Sequence, residues 1–496
     1  MRILMLDKNW LIDRRIALMI ETLAKEGHEF RIVYVEPPPH RWERTRIKGV
    51  ESIAIPLTDR SFAPVGDGIF PKPPHVHETD HPFRADPRRR KTFEYDPSLP
   101  RMERWRRFVA EPSAAVSVLA ASAWPPHLKY PAMAAFSLMD LPRRLIEMKP
   151  PGDDFIHAKV LSPAGVPLDY WDKMTTRYAE TTWTPDIVCA NDYPALRAAV
   201  EIKKRLGASV VFDAHELYSY QPGVPHAAAK AMFREERVLL EHVDGLILVN
   251  EQHKQIVDRD SPYDGPIALC SNATNAPPDF DIKKRYDWIR KKAPIPADHR
   301  IMLFQGGVNV QRRIDFLLKG LAAARSRKVH QVFLTFGAEV SEFQRLADEL
   351  GIAGRVHFLP FVPWEEVLFW TASADCGVMP YQATDQNTAI SSPNKMYEFI
   401  LAGTPMIGSS DLVNVRKIVA GEGFGVTLPL RSVADYAEAI DLMFDEQLGG
   451  PERFRPALIA KADRYSWDAQ IGEVVALYRG LAAARAEGTR QKAVGE

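Results

Sequence analysis

The sequence predicts an α/β protein with two doubly wound parallel sheets. Short apolar segments alternate with amphipathic helical segments in both halves of the chain, which is typical of parallel sheets covered by helices on both faces. A Pro-containing segment, RKKAPIPADHR at 290–300, separates the two series. A chain of 496 residues is also longer than one ordinary core requires, so two domains or more are expected.

The first series starts at the N-terminus and is interrupted once. Strands are predicted at MRILMLD, RIVYVEPP, PDIVCAND, SVVFDAHE and VDGLILVNE, with helices at RRIALMIETLAKEGHEF and ALRAAVEIKKRLG. Between about residue 60 and residue 170 the pattern changes to a Pro- and charge-rich loop, followed by helices that Pro interrupts. We interpret this stretch as a largely helical insertion in the first domain.

The second series is continuous. Strands are predicted at RIMLFQG, QVFLTFG, RVHFLPF, DCGVMPY, TPMIGSS and GFGVTL, each followed by a helix, and YSWDAQIGEVVALYRGLAAA is predicted as one more helix. Ligands of open parallel sheets bind beyond the carboxyl ends of the strands. The cleft between two such domains is therefore the expected site.

The composition argues against several classes of protein. Hydrophobic residues make up 46% and charged residues 26% of the chain, as in globular domains, and the 64 basic residues balance the 64 acidic ones. No membrane span or secretory signal is expected, because no apolar run is long enough and MRILML leads directly into a folded pattern. Cys189, Cys270 and Cys376 are far apart, which fits a reducing compartment and argues against disulfides or a zinc site.

The segment SSPNKMYEF at 391–399 is predicted to open a helix. Ser392 is a suitable N-cap and Pro393 is suited to the first helical position. Gly403 and Pro405 are expected to end the helix. Its buried face is predicted to contain Met396, Phe399 and Ile400.

Lys395 does not suit the first turn of this helix, where the helix dipole favours negative charge. One interpretation is a diphosphate pocket formed by Lys395, Arg312 and the helix N-terminus at 391–394, with Glu398 accepting hydrogen bonds from two ribose hydroxyls. The other interpretation is a surface Lys395–Glu398 pair that contributes little stability. These residues alone leave both interpretations open.

Glycines at two predicted strand ends suit the first interpretation. Gly306 and Gly307 follow a strand and precede Arg312, and Gly337 follows the next strand. Paired glycines allow backbone N–H groups to approach a ligand, and arginine binds phosphate through two hydrogen bonds. Tight turns with solvated arginines would give the same pattern.

The second series resembles the C-terminal domain of retaining glycosyltransferases of the GT-B fold, family 4. The segments that carry the resemblance are FQGGVNVQRRIDFLLKG, LTFGAE, RVHFLPFVPWEEVLFWTASADCGVMPYQA, SSPNKMYEFILAGTPMIGS and IVAGEGFGV. LIDRRIALMIETLAKEGHEFRIV and PDIVCANDYPALRAAVEIKKRLGASVVFDAHELY resemble the family's N-terminal domain, and YSWDAQIGEVVALY resembles its last helix.

The resemblance implies two Rossmann-like domains. Residues 1–295 would form the acceptor-binding domain, with the insertion at about 60–170. Residues 296–465 would form the nucleotide-sugar-binding domain. Residues 466–496 would form a helix that crosses back to the first domain.

The resemblance also implies roles for individual residues. Glu398 would hold the ribose, Arg312 and Lys395 would neutralise the diphosphate and act in catalysis together with His215, and Phe361 and Val362 would lie near the base. The acceptor side of the cleft would contain Asp13, Arg14, His215 and Glu216. The predicted donor-binding set is Gly306, Gly307, Arg312, Gly337, Phe361, Val362, Asn387, Ser391, Ser392, Asn394, Lys395 and Glu398.

One position departs from the common family pattern. Many members have E-x7-E, and Ile390 occupies the place of the first glutamate. Asn387, Thr388 and Ser391 are the neutral side chains expected to contact the sugar instead.

The function predicted from the resemblance is transfer of a sugar, with retention, from a UDP- or GDP-linked donor to a glycan, lipid-linked or small-molecule acceptor. No cofactor or nucleic acid is expected. No metal is expected either, because positive side chains would face the leaving phosphates. The protein is expected in the cytoplasm. The region 101–148, where Arg alternates with aromatic residues, has two interpretations: a peripheral contact to the inner face of the membrane, or a solvated basic helix beside a packed helical hairpin. The alternatives are a non-catalytic GT-B scaffold in a polysaccharide pathway and a nucleotide-sugar epimerase on the same fold.

Overall fold

The structure is a computed structural model that describes residues 1–9, 12–35, 47, 49–55, 154–335 and 339–495. The predicted membrane-contact region 101–148, most of the predicted insertion and Gly337 lie outside the described residues. The described parts of the two sheets belong to one compact unit, and Asp154–His157 forms a separate helical turn. The prediction of an α/β fold with two parallel sheets is confirmed.

The first sheet has seven parallel strands in the order β3-β2-β1-β4-β5-β6-β7. The strands are β1 (Arg2–Asp7), β2 (Glu29–Val35), β3 (Glu51–Ile55), β4 (Ile187–Asn191), β5 (Ser209–Ala214), β6 (Gly245–Leu248) and β7 (Ile267–Leu269). The accompanying helices are α1 (Arg14–Ala24), α2 (Tyr170–Thr181), α3 (Tyr193–Leu206), α4 (His226–Leu240) and α5 (Glu251–Asp260).

The second sheet has six parallel strands in the order β10-β9-β8-β11-β12-β13. The strands are β8 (Arg300–Gln305), β9 (Val329–Thr335), β10 (Val356–Pro360), β11 (Cys376–Met379), β12 (Met406–Ser409) and β13 (Gly425–Leu428). The main helices are α6 (Ile314–Ala323), α7 (Val340–Glu349), α8 (Val367–Thr371), α9 (Gln386–Ile390), α10 (Asn394–Leu401), α11 (Val433–Phe444), α12 (Arg455–Lys461), α13 (Trp467–Gln470) and α14 (Gly472–Gly495).

Each sheet is buried on both faces, which explains why its strands are apolar without alternation. In β1, Leu4 and Leu6 pack in one hydrophobic cluster, whereas Ile3 packs in the cluster on the opposite face. In β8, Leu303 and Phe304 likewise belong to different clusters. Successive side chains of a strand point to opposite faces, so successive positions of central strands such as β1 and β8 meet hydrophobic layers on both sides.

The end of the chain packs on the first sheet. Trp467 is fully buried, and its Nε1 donates to Thr22 Oγ1 of α1 at 2.9 Å. Tyr478 and Leu477 of α14 join the cluster that contains β1 residues. This packing agrees with a final helix associated with the first domain, while the domain boundaries stay a prediction.

The strand order places a switch point in each sheet. In the first sheet it lies between β1 and β4, and in the second it lies between β8 and β11. Loops that follow the two strands at a switch point diverge to opposite faces and leave a crevice at the carboxyl ends. Among the described residues, no helix combines the length and apolar character that crossing a bilayer needs.

Candidate functional site

Helix α10 begins at Asn394, so the predicted start of this helix was wrong by one residue. Pro393 occupies the N-cap position with an extended ψ of 134°, and no side chain caps the helix. Ser392 is not the cap, because its Oγ accepts a hydrogen bond from Asn250 Nδ2 of the first sheet's domain at 3.1 Å. The predicted buried face is confirmed, since Met396, Phe399 and Ile400 are all fully buried.

Lys395 lies at the second position of α10 and has no carboxylate within 4.0 Å among the described residues. Its Nζ donates to the hydroxyl of Tyr381, and it lies 4.8 Å from the Tyr381 ring centroid and 5.5 Å from that of Phe304. Within the described part of the chain, Lys395 and Glu398 do not form the surface ion pair of the alternative interpretation. The ammonium group is therefore available to an anion.

Arg312 approaches the same place from the loop after β8. Asn309 Oδ1 accepts from the Arg312 backbone N–H at 2.9 Å, which caps the turn Val310–Arg312, and Arg312 Nη1 donates to the Gly307 carbonyl at 3.2 Å. No described carboxylate pairs with this guanidinium within 4.0 Å. Arg312 and Lys395 thus bring two positive charges to one loop.

Gly306 acts through its missing side chain. A Cβ at this position would lie 3.0 Å from Arg312 Nη1 and 3.9 Å from Lys395 Nζ, and its φ of 119° suits glycine. Its N–H donates to the Leu334 carbonyl at 2.9 Å, so it is not the free ligand donor that the sequence predicted. The glycine makes room for the two cations instead.

Tyr381, which follows β11, was missed by sequence reasoning. It lies between the two cations, with Lys395 bonded to its hydroxyl and Arg312 6.0 Å from its ring centroid. Burial opposes ionisation, but Lys395 and Arg312 together lower the pKa of Tyr381 below its ordinary value of 10.0. A Tyr at the carboxyl end of a strand beside the switch point was the available signal.

Glu398 lies one turn further along α10, at the edge of the crevice. Gln305 Nε2, at the end of β8, donates to its Oε2. Arg14 Nη1, at the start of α1, lies 3.5 Å from its Oε1, and the Glu398 side chain is 16% exposed. The carboxylate is held in place and still reachable, as a ribose-binding group requires.

Phe361 and Val362 differ in what they offer to a base. Phe361 is 40% exposed, whereas Val362 is 7% exposed and packs in the hydrophobic core of the second sheet. Trp364, which was not predicted, is 37% exposed, and the Arg14 guanidinium lies 5.4 Å from its ring centroid. Phe361 and Trp364 therefore each present an exposed aromatic ring on the segment that follows β10.

The residues predicted to contact the sugar lie between the two sheets. Asn387 Oδ1 accepts from the Leu217 backbone N–H at 2.9 Å, which uses this oxygen in a contact with the first domain. The Ile390 carbonyl accepts from Asn250 Nδ2 at 2.9 Å. Ser391 ends α9, and Asn394 is exposed at the start of α10.

His215 follows β5 and is held by two carboxylates. Its Nε2 lies 3.0 Å from Asp213 Oδ2, its Nδ1 lies 3.5 Å from Asp192 Oδ2, and its backbone N–H donates to Asp192 Oδ1 at 2.8 Å. Burial alone would lower the pKa of His215, but Asp213 and Asp192 raise it to about 9. The ring is therefore protonated at neutral pH and cannot accept a proton as a general base.

The predicted cleft residues occupy different environments. Asp13 is the N-cap of α1, where its Oδ1 accepts from the Arg15 N–H at 2.7 Å, and α1 begins at Arg14, as the sequence predicted. Arg14 faces Glu398, as described above. Glu216 is exposed and accepts a hydrogen bond from Gln221 Nε2.

A pocket of about 260 Å³ lies at the carboxyl ends of β1 and β4. Its polar lining consists of Asp7, Asn9, Asp13, Asn191, Asp192 and His215. Asp192 has a φ of 62°, a conformation that residues other than glycine rarely adopt. Apart from Asp13 and His215, these residues were missed by sequence reasoning, although Asp7 and Asp192 are the last residues of predicted strands. No cluster of three or more metal-ligating side chains occurs among the residues that the structure describes.

Comparisons with known proteins agree with this geometry. Residues 299–446, which contain most of the second sheet's domain, match the family model of glycosyl transferases group 1. A D-inositol 3-phosphate glycosyltransferase from Thermomonospora curvata is 27% identical over 210 residues, which cover 39% of this chain and 46% of the relative. The corresponding protein of Streptomyces scabiei is 30% identical over 207 residues, 38% of this chain and 43% of the relative. The chain thus spans about half the length of the curated relatives it matches.

Solved structures match over nearly the whole chain. Sucrose-phosphate synthase from Thermosynechococcus elongatus superposes with a TM-score of 0.60 at 16% identity, covering 97% of this chain and 99% of that one. Anabaena HepE in complex with UDP and glucose superposes with a TM-score of 0.58 at 12% identity, covering 98% and 100%. At these identities the likeness establishes the fold, which is GT-B.

Proposed function

We propose that this chain, which has the GT-B fold and a glycosyl transferases group 1 domain at residues 299–446, transfers a sugar from a nucleotide-diphosphate sugar to an acceptor. The donor would bind at the carboxyl ends of β8 and β11, and the acceptor would enter from the first sheet. The transfer would retain the configuration at the anomeric carbon.

One observation carries the donor site. Lys395 and Arg312 converge beside Gly306 without carboxylate partners among the described residues, and Glu398 lies one helical turn away. Two like charges that lie close together repel each other, and a bound anion would relieve that repulsion. A diphosphate with an attached ribose supplies both the anion and the hydroxyl donors that Glu398 can accept.

The same arrangement supports departure of the leaving group. Charge accumulates on the diphosphate as the glycosidic bond breaks, and fixed cations stabilise that charge most effectively in a site with little water. The N-terminus of α10 points the same way, because its first backbone N–H groups lack helical acceptors. Arg312 and Lys395 therefore take the role that a divalent metal has in other transferases.

His215 fits a binding role in this transfer. As an imidazolium bonded to Asp213, it donates hydrogen bonds and cannot remove the proton of the acceptor hydroxyl. In a transfer with retention, the leaving phosphate itself would take that proton. Arg312 and Lys395 would then assist both the breaking of the glycosidic bond and the proton transfer to the leaving phosphate.

UDP is the nucleotide that the structural comparison favours. Anabaena HepE has been solved in complex with UDP and glucose and in complex with UDP-glucose. GDP stays the alternative nucleotide. Phe361 and Trp364 are exposed aromatic rings beside the loop that would face the base, and stacking on such rings does not by itself select one base.

Calorimetric titration of the full chain with UDP and with GDP tests the donor site. Wild type is expected to bind one of the two, and Glu398→Ala is expected to lose most of that affinity because the ribose hydroxyls lose their acceptor. Glu342→Ala, which removes an exposed carboxylate of α7, is the matched control and should bind as wild type does. Equal affinity of Glu398→Ala and wild type would show that the ribose assignment is wrong.

Turnover and stereochemistry are measured separately. Release of UDP or GDP from its sugar in the presence of candidate acceptors reports transfer. The anomeric configuration of the product, determined by NMR, reports retention. Nucleotide binding without any turnover would favour the non-catalytic scaffold, which the replacement of an acidic residue by Ile390 also suggests.

A further inference from the structure

The pocket at the carboxyl ends of β1 and β4 has an uncompensated acidic group at its base. Asp7 is 1% exposed, and its Oδ1 accepts from Asn9 Nδ2 at 2.9 Å. Its Oδ2 is buried and has no hydrogen-bond partner among the described residues. A buried polar atom without a partner costs free energy, so a ligand that donates a hydrogen bond here would be stabilised.

The rest of the lining is also rich in acceptors. Asp13 and Asp192 contribute two more carboxylates, and burial raises the pKa of Asp7 and of Asp192 to about 7. Because burial makes the charged form of these two groups costly, a ligand that donates a hydrogen bond to either carboxylate would stabilise it. Asp192 also keeps its strained backbone conformation at the pocket wall, as residues in binding sites often do.

The nearby cations are already engaged by protein groups. His215 is bonded to Asp213 and lies near Asp192, as described above. Arg15 donates to Asp213 at 2.9 Å and to the Cys270 carbonyl at 2.7 Å. Lys8 donates to Asp172 at 2.8 Å and also to Asp169. A phosphate group entering this pocket would face three carboxylates, and the one cationic side chain among the described lining residues, His215, is already bonded to Asp213.

We infer that this pocket receives an unphosphorylated part of the acceptor that is rich in hydrogen-bond donors, namely the hydroxyls of a sugar or cyclitol or the ammonium of an amino sugar. The inference rests on the proposed transferase function and names the chemistry of its acceptor. The volume of about 260 Å³ suits a single small ring, since pockets for drug-sized ligands span about 300–1,000 Å³.

Ligand-observed saturation-transfer NMR on the full chain tests this inference. The probes are myo-inositol, glucosamine and D-inositol 3-phosphate, each at millimolar concentration. At least one of the two unphosphorylated probes is expected to bind, and D-inositol 3-phosphate is expected to bind about tenfold more weakly or not at all. Binding of glucosamine alone assigns the ammonium as the recognised group, and binding of myo-inositol assigns the hydroxyls.

Variants connect the binding to the pocket. Asp7→Asn keeps the shape and removes the acceptor charge, so it should lose most of the affinity, and Asp192→Asn provides a second test if Asp7→Asn is poorly folded. Asp258→Asn, which changes an exposed carboxylate of α5, is the control. The inference is overturned if none of the probes binds, if the phosphorylated probe binds as well as the others, or if both pocket variants bind like wild type.

The nucleotide titration keeps this inference separate from the proposed function. The polyol readout needs no transfer and involves the first sheet, whereas UDP or GDP binding involves the second. If wild type binds neither UDP nor GDP, the proposed function is contradicted. The NMR result alone then decides whether the pocket binds the unphosphorylated probes.

Discussion

At the scale of single residues, the structure explains why Lys395 occupies the wrong end of a helix. Its ammonium packs against the rings of Tyr381 and Phe304 and points toward the backbone at Gly306. Cation–π contacts of this kind partly compensate a charge without neutralising it. The positive charge of Lys395 therefore stays available to an anion, whereas an ion pair with a carboxylate would neutralise it.

Removing either cation should weaken nucleotide binding. Lys395→Ala and Arg312→Ala are each expected to cost about 1.5–3 kcal/mol, the range for a hydrogen bond to a charged group, which corresponds to roughly a ten- to hundredfold rise in Kd. Calorimetric titration with UDP or GDP measures this change.

Lys417→Ala serves as the control for both variants, because Lys417 is exposed on the same domain. It should bind nucleotide as wild type does. If both Lys395→Ala and Arg312→Ala bind like this control, the diphosphate pocket is wrongly placed.

At the scale of elements, three histidines line the amino ends of β8, β9 and β10, away from the donor site. His299 Nδ1 lies 2.8 Å from His330 Nε2, and His330 Nδ1 lies 2.9 Å from His357 Nε2. His330 is buried, and burial together with the neighbouring His357 and His299 lowers its pKa from 6.5 to about 4, with Arg355 and Arg290 contributing. Burial also lowers the pKa of His357.

This row should make the protein sensitive to acid. Between pH 6.5 and about pH 4 the unfolded chain binds more protons at His330 than the folded chain does, so stability falls as the pH drops through this window. Chemical denaturation at pH 7 and pH 5 should show that wild type loses more stability than His330→Gln, by a difference on the order of 1 kcal/mol.

His226→Gln is the matched control, because His226 is exposed at the start of α4. This control should lose as much stability as wild type does between the two pH values. The same loss in His330→Gln would mean that the histidine row does not titrate as described.

At the scale of the whole molecule, the carboxyl ends of the two sheets contact each other through polar groups. Arg14 of α1 reaches Glu398 of α10, and Asn387 of α9 accepts from Leu217 after β5. A donor that engages Glu398 would compete with Arg14 for the same carboxylate. In the proposed donor site, donor binding would therefore be coupled to this contact between Arg14 and Glu398.

Chelation tests whether the assembled site needs a metal. Activity is expected to survive EDTA, because Arg312, Lys395 and the N-terminus of α10 would face the leaving phosphates in the proposed donor site. Initial transfer rates with and without EDTA measure this. Complete loss of activity on chelation, followed by recovery with Mg²⁺ or Mn²⁺, would show that the cations of the chain are insufficient.

The sequence was sufficient for most of the repeating elements, although β3 (Glu51–Ile55) and β7 (Ile267–Leu269) were not predicted. Apolar strands alternating with amphipathic helices predicted both sheets, because the spacing of apolar residues along the chain distinguishes a helix from a strand. The misfit of Lys395 and its spacing to Glu398 predicted the donor-site candidates, since helical geometry places residues three apart on one face. The one-residue error at the start of α10 arose because Ser392 bonds to Asn250, which is distant in sequence.

Tertiary structure decided which distant groups meet and which are already engaged. Tyr381 lies between Lys395 and Arg312, and the N–H of Gly306 is used by the second sheet, neither of which a linear pattern reveals. The charge state of His215 depends on Asp213, two residues before it in β5, and on Asp192, which follows the neighbouring strand β4. Electrostatic and hydrogen-bond energies depend on distance and burial in three dimensions, and strand order, not sequence separation, sets those distances.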